Sequence, residues 1–236
     1  MRVRTVLDYL VADTPLPHGE RWRSGLLVLL SLALLAAGLA ALTGRPPLLA
    51  LVPGLAASAA LLFTAPQSPL AQPWPIIGGH GLSALVGWAL CALLPELWLA
   101  APLAAGCAVL LMHATRSFHP PGAATALLPF LLAAAGQAVD DRLFLVSVLA
   151  GGAGLVGLGL LFNNGLRGHA YPAHRAALLA GQGLPANLPA HIEPTDLHRA
   201  LSESGVYIDI GEEALAQILA RAAGHAAARE DSAARG

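Results

Sequence analysis

Lysine is absent from this chain: all 13 basic side chains are arginine, and only 11% of the 236 residues carry charge of either sign. Soluble domains carry about 25% charged residues, so a water-soluble fold is excluded and a lipid bilayer is the expected surrounding. The formal net charge of −1 removes the electrostatic basis for a nucleic-acid partner. Cysteine is scarce too, and Cys91 and Cys107 both lie in apolar runs, where they read as small buried hydrophobes rather than as a CxxC pair or a disulfide framework. The chain lacks a nucleophile elbow, a phosphate loop, an HExxH motif and a dinucleotide fingerprint, so neither an enzyme nor a bound cofactor is expected. A secretory leader is missing as well. The first 24 residues mix charges with Pro15, Pro17 and His18, and the apolar run after them is expected to remain as an uncleaved first span.

What is present is apolar sequence, 56% of the residues, with a mean hydropathy of +0.64. It divides into runs at 25–42, 48–65, 76–94, 97–114, 122–138 and 143–162, several of them close to the ~20 residues that cross hydrocarbon as a helix. The second run is interrupted by Pro53-Gly54, where a kink is expected, and the fifth is short enough to be re-entrant or tilted. The expected fold is all-α: a polytopic transmembrane bundle of four to six spans with proline-broken or re-entrant segments. Residues 1–24 form a cytoplasmic N-terminal segment, 25–163 the membrane domain, and 164–236 a cytoplasmic linker with two short amphipathic helices. One of these is expected after Thr195 or Asp196 and one over 211–223, and such helices need a partner surface. Small residues on the helix faces, such as Gly54, Ala56, Ala57 and the glycines of 151–159, suit close helix approach and a homo-oligomer. Arg2, Arg4, Arg21, Arg23, Arg116, Arg167 and Arg175 fall on one side of the six-run count, whereas Arg45 and Arg142 share the other with Glu96, Asp140 and Asp141. The positive-inside rule then places both termini in the cytoplasm of a bacterial inner membrane.

Two proline-rich breaks interrupt the apolar sequence. The first, Pro66 to Pro75, holds four prolines in ten residues and leads into Gly78-Gly79-His80; the second is His119-Pro120-Pro121-Gly122, leading into Ala123-Ala124-Thr125. Irregular backbone at membrane depth usually lines a cavity. Helix N-termini expected at Gly78-Gly79 and Gly122-Ala123 would present free N–H groups and positive dipole ends to a small anion. Arg116 either contacts that anion or snorkels to the interface. His80, His113 and His119 are ionisable groups within the membrane region, which either carry protons or fix loops by donating to carbonyls. A soft-metal site built from them with Met112 and the cysteines has no supporting spacing, so no metal is expected. Asn163 and Asn164 read as the cap of the last run.

The stretch Arg116-Ser117-Phe118-His119-Pro120-Pro121-Gly122-Ala123-Ala124-Thr125-Ala126 resembles the signature of the HPP family of integral membrane proteins. Ser68-Pro69-Leu70-Ala71-Gln72-Pro73, Gly78-Gly79-His80, Ser83-Ala84-Leu85-Val86-Gly87 and Asn163-Asn164 with Arg167 and Tyr171-Pro172 are similar to further features of that family, in the same order, over roughly residues 20 to 175. The resemblance implies four spanning helices and a transporter, with plastid and cyanobacterial relatives linked to nitrite. Many bacterial relatives continue into cytoplasmic CBS domains that bind adenine nucleotides; no such domain is expected within these 236 residues, so nucleotide regulation would be expected to come from a separate partner. The expected activity is therefore transport of a small anion such as nitrite, through a site of His119, Pro120, Pro121, Gly122, Arg116, His80, Gly79, Gly78 and Thr125. A non-transporting scaffold or sensor whose tail recruits a cytoplasmic partner is the alternative.

Overall fold

The structure, a computed structural model, describes residues 18–44, 53–94, 98–137, 140–166, 171–173 and 219. Among the described residues the regular elements are helical: α1 His18–Thr43, α2 Pro53–Thr64, a 3₁₀ turn Pro69–Ala71, α3 Pro73–Leu93, α4 Ala100–Ala114, α5 Pro120–Ala134 and α6 Asp141–Gly165. The tail helices expected after Thr195 and over 211–223 lie outside the described residues, Leu219 aside.

Length separates the helices into two sets. α1, α3 and α6, of 26, 21 and 25 residues, are long and apolar enough to cross a membrane. α2, α4 and α5 have 12, 15 and 15 residues, which at 1.5 Å per residue is roughly 18–22 Å against a hydrocarbon thickness of ~30 Å. The long helices expose leucines that water would not tolerate in such number, Leu26, Leu29, Leu30, Leu34 and Leu42 on α1 among them, and these are lipid-facing.

Prolines set where α2, α3 and α5 begin. Pro53, Pro73 and Pro120 each occupy the first position of their helix, where the missing N–H has no intrahelical partner to lose and the fixed φ is already helical. A boundary among the described residues therefore differs from the apolar runs. The described part of α2 begins at Pro53, and the kink expected there involves residues 45–52, which lie outside the described residues; α3 begins at Pro73, three residues before the run that starts at Ile76. At the other ends, Gly136 closes α5 with φ +68 and Gly44 follows α1 with φ +66, backbone that glycine adopts without a Cβ clash.

α3 is the central helix, packing on α4, α5, α6 and the 3₁₀ turn. Its contact with α5 is the most extensive in the bundle, and glycine makes it possible. A Cβ on Gly79 would stand 2.8 Å from the His119 Cβ, one on Gly122 would stand 3.0 Å from the Gly79 carbonyl carbon, and one on Gly87 would run into the Ala126 carbonyl. The backbones touch. A second core joins α1, α2, α3 and α6 through Leu39, Leu55, Leu62, Phe63, Ile76, Val148 and Leu155.

Hydrogen bonds gather alternate helix ends at one end of the bundle. Ser24 near the start of α1 donates to the Phe63 carbonyl near the end of α2 (2.8 Å), the Trp74 indole at the start of α3 donates to the Thr115 carbonyl after α4 (3.1 Å), and Arg23 reaches the Leu166 carbonyl after α6 (3.0 Å). Exposed Trp22 and Trp74 lie at this end and exposed Trp98 begins the opposite side, as interfacial tryptophans do.

Gly87→Ala is expected to destabilise the protein by about 1–3 kcal/mol or more, because the α3–α5 backbones must separate. Gly157→Ala, with nothing within 4 Å of its added methyl, is expected to be neutral or to stabilise by up to ~1 kcal/mol through helix propensity. Thermal unfolding of both variants in detergent checks the contrast, and equal effects would refute the packing account.

Candidate functional site

Five side chains and carbonyls from four segments meet where α2, α3 and α5 cross. α2 supplies Ser58, α3 supplies His80, α5 supplies Thr125, the residue capping α5 is His119, and the 3₁₀ turn supplies the Leu70 carbonyl. Local sequence sets each position. His119 precedes a proline, which disfavours helical backbone, and it is extended at φ −141, ψ 96. The chain turns into α5 only after it. Gln72, before Pro73, is extended for the same reason. Gly54 lies one turn before Ser58, and a Cβ there would collide with the Pro121 carbonyl (2.6 Å), the Thr125 Oγ1 (2.8 Å) and the His80 ring (2.9 Å). Only a residue without a side chain lets α2 come this close.

Ser58, His80, His119 and Thr125 are all fully buried. His80 Nδ1 lies 2.7 Å from Thr125 Oγ1 and His80 Nε2 2.8 Å from Ser58 Oγ; Ser58 Oγ lies 2.6 Å from His119 Nε2 and 2.9 Å from the Gly54 carbonyl; and His119 Nδ1 lies 2.7 Å from the Leu70 carbonyl. The two imidazoles meet edge-on with centroids 5.2 Å apart. Each of these polar atoms would cost about 1–3 kcal/mol if buried without a partner, so the contacts stand or fall together. Pro129 inside α5 lacks the N–H that would bond the Thr125 carbonyl, which leaves one more acceptor near the inner end of the cluster.

The loop that offers the Leu70 carbonyl is held from both sides. Ser68 accepts from Leu70 N (3.2 Å), and the Gln72 amide donates to the Pro66 and Ser68 carbonyls (3.1 and 2.7 Å). From beyond α6, the buried Tyr171 hydroxyl donates to the Ala71 carbonyl (2.9 Å) and Ala173 N donates to the Gln72 Oε1 (2.7 Å). Burial pushes the Tyr171 phenol above its ordinary pKa, so it stays a donor. Asn164 ties Tyr171 down through both its backbone N–H (3.0 Å) and its carbonyl (2.8 Å). Asn164 is thus a clasp for the Tyr171 segment as well as the end of α6.

Of the residues singled out in the sequence, His80, His119 and Thr125 come together, and Gly79 and Gly122 form the backbone contact beneath them. A Cβ on Gly78 would stand 3.1 Å from the Ser117 Cβ and 3.2 Å from the Trp74 ring. The helix N-termini lie earlier than Gly78-Gly79 and Gly122-Ala123. In α3, Pro73 and Pro75 have no N–H and Ile76 N bonds the Gln72 carbonyl (3.1 Å); in α5, Pro120 and Pro121 have none and Gly122 N bonds the His119 carbonyl (2.8 Å). Most of the N–H groups that a helix end offers an anion are therefore missing or taken. His113 stands apart, stacked on Phe118 with centroids 4.2 Å apart.

Arg116 does not reach the cluster. It is exposed, its backbone is left-handed at φ +56, and it ends α4 with Ser117 N on the Met112 carbonyl (2.9 Å) and Arg116 N on the His113 carbonyl (3.2 Å). That is the double bond pattern in which glycine usually stands, and Gly136 fills the equivalent place after α5. Arg116→Gly is expected to stabilise the fold by roughly 1 kcal/mol, the left-handed penalty of a residue with Cβ. A fall in melting temperature instead would show that the guanidinium holds a structural contact.

Sequence reasoning named Gly54 only as a small residue suited to close helix approach, and it did not place Ser58 or Leu70 in the site. A serine within an alanine-rich apolar helix, one turn after a glycine, was the available signal for Ser58.

These features define a helical membrane domain with a buried histidine–hydroxyl cluster at a proline-broken crossing. Residues 13–172 match the family described as HPP, transmembrane region, and the chain belongs to that family. Two transmembrane proteins of Dictyostelium discoideum are similar to it, one 37% identical over 158 residues (65% of this chain, 50% of the relative) and one 36% identical over 133 residues (52% and 45%). The chain spans about half the length of these curated relatives. No solved structure matches it.

Proposed function

We propose that this chain is a transporter, not an enzyme, and that it moves a small anion, with nitrite as the first candidate. The observation that carries this reading is the buried His80–Ser58–His119 arrangement. Ionisable groups at membrane depth are costly and as a rule mark ion pathways or proton relays. A scaffold has no need of two buried imidazoles bridged by a hydroxyl. The path runs along the α2–α3–α5 crossing, with Arg116 at its rim attracting anions and the imidazoles supplying positive charge within. His119, Pro120, Pro121, Gly122, His80, Gly79, Gly78 and Thr125 shape the path, the prolines and glycines by setting backbone and the others by contact.

Nitrite uptake into proteoliposomes is expected to be saturable and to be competed by formate more than by chloride. His119→Gln keeps a donor and an acceptor but binds no proton, and is expected to lower uptake about tenfold or more, the worth of one charge-assisted hydrogen bond. Uptake no greater than that of empty liposomes under either imposed pH gradient would overturn transport and favour the scaffold.

We place both termini in the bacterial cytoplasm because, among the described residues, Arg21, Arg23 and Arg116 lie at one end of the bundle, whereas the other end has Arg142 beside Asp140 and Asp141. A phosphatase active only outside the inner membrane is expected to be active when fused after Gln137 and inactive when fused after Leu166. The reverse pattern would invert the topology.

A further inference from the structure

We propose that His80 and His119 form a site for a single proton, shared through Ser58, in which the two rings carry opposite tautomers when no extra proton is bound. The site names the ion to which the transport proposed above would couple, and so deepens that reading; its existence does not depend on flux.

The tautomers follow from one fixed point. A carbonyl oxygen only accepts, so the 2.7 Å contact between His119 Nδ1 and the Leu70 carbonyl requires the proton on Nδ1. Neutral His119 then has a bare Nε2, which at 2.6 Å from Ser58 Oγ must receive the serine proton. Ser58 has no second proton, so His80 Nε2, 2.8 Å away, must donate to Ser58 Oγ. His80 Nδ1 is then bare and accepts from Thr125 Oγ1 at 2.7 Å. Every donor in the series Thr125, His80, Ser58, His119 points toward Leu70. The series begins at the cap of α5 and ends at the sixth residue of that helix, about 9 Å of depth at 1.5 Å per residue.

One contact is idle in that arrangement, the 2.9 Å approach of Ser58 Oγ to the Gly54 carbonyl. An added proton on His119 Nε2 puts it to use. Ser58 then accepts from both Nε2–H groups and turns its own proton to Gly54, so all three of its contacts are hydrogen bonds at once. The proton can also rest on His80, whose Nδ1–H then donates to Thr125. Transfer between the rings is balanced: His80 Nε2–H gives its proton to Ser58 Oγ as Ser58 gives its own to His119 Nε2, which leaves His80 protonated at Nδ1 alone and Ser58 donating to its bare Nε2. The serine is neutral before and after, and the charge has moved from one ring to the other.

A second proton is opposed by the first across rings 5.2 Å apart. Among the described residues the hydrogen-bond partners of the rings are Thr125, Ser58 and the Leu70 carbonyl, none of them charged. Gly54 of α2, which lies against the His80 ring, and Gly79 of α3, which lies against the His119 Cβ, are equally uncharged. No carboxylate there offsets a second charge.

The test is nitrogen NMR of the full chain in lipid bilayers with ¹⁵N-labelled histidine rings, the two signals assigned from His80→Gln and His119→Gln. At neutral pH, His119 is expected to be protonated at Nδ1 alone and His80 at Nε2 alone. On acidification the pair is expected to gain one proton in total. Ser58→Ala is expected to let the two rings titrate as separate sites. Thr125→Val, which keeps the side-chain shape, is expected to shift His80 Nδ1 while leaving His119 unchanged, and serves if Ser58→Ala does not fold. The same tautomer on both rings, two protons gained in one step, or no proton gained down to the pH of unfolding would each overturn the site. These signals together with no nitrite flux would retain the proton site and remove the transport reading.

Discussion

Backbone contact between α3 and α5 is the constraint on which the site depends. Gly79, Gly87 and Gly122 bring the two helices to within the reach of one side chain, and only at that separation do His80 on one and Thr125 on the other lie 2.7 Å apart. Gly54 does the same for α2, bringing Ser58 between the imidazoles. Lipid chains supply no hydrophobic force between helices, so close packing of this kind, with hydrogen bonds across it, is what holds a membrane bundle together. The polar cluster and the glycine contacts are one device.

The short helices belong to the same device. α2 and α5, of 12 and 15 residues, are too short to cross hydrocarbon alone, and Pro66, Pro69 and Pro73 keep residues 66–72 from continuing a regular helix between α2 and α3. Irregular backbone at that depth must be satisfied by protein. Gln72, Tyr171 and Asn164 meet that demand around the loop, while the Leu70 carbonyl is left for His119. An element that would be a defect in a regular bundle becomes the acceptor that fixes a tautomer.

Much of this was legible in the sequence, for physical reasons that differ by level. Apolar runs report lipid directly, so helices near 25–42, 76–94 and 143–162 were evident, and the family signature named the domain. His80, His119 and Thr125 were evident because polar groups are costly where they lie. The starts of α3 and α5 were misplaced because an apolar run does not show that proline can open a helix, as at Pro73 and Pro120. Ser58 was read only as a small packing residue, because a serine whose hydroxyl lies near the carbonyl one turn back, as Ser58 Oγ lies 2.9 Å from that of Gly54, is common in membrane helices; its second role depends on residues 22 and 61 positions away. Arg116 drew attention by its charge, yet what distinguishes it is a left-handed backbone that no spacing announces.

The prolines also change how an anion can be recognised here. A helix N-terminus ordinarily offers an anion several free N–H groups, and two such ends were the basis on which an anion site was first expected. Pro73, Pro75, Pro120 and Pro121 have no N–H, and the Ile76 and Gly122 donors are bonded. The dipole of each helix remains, but most of the donors do not. On the proposed reading, positive charge at the crossing must then come from the proton held by His80 and His119, because Arg116 stays at the surface. An anion would be held only while that proton is present, and coupling would follow from the scarcity of any other donor.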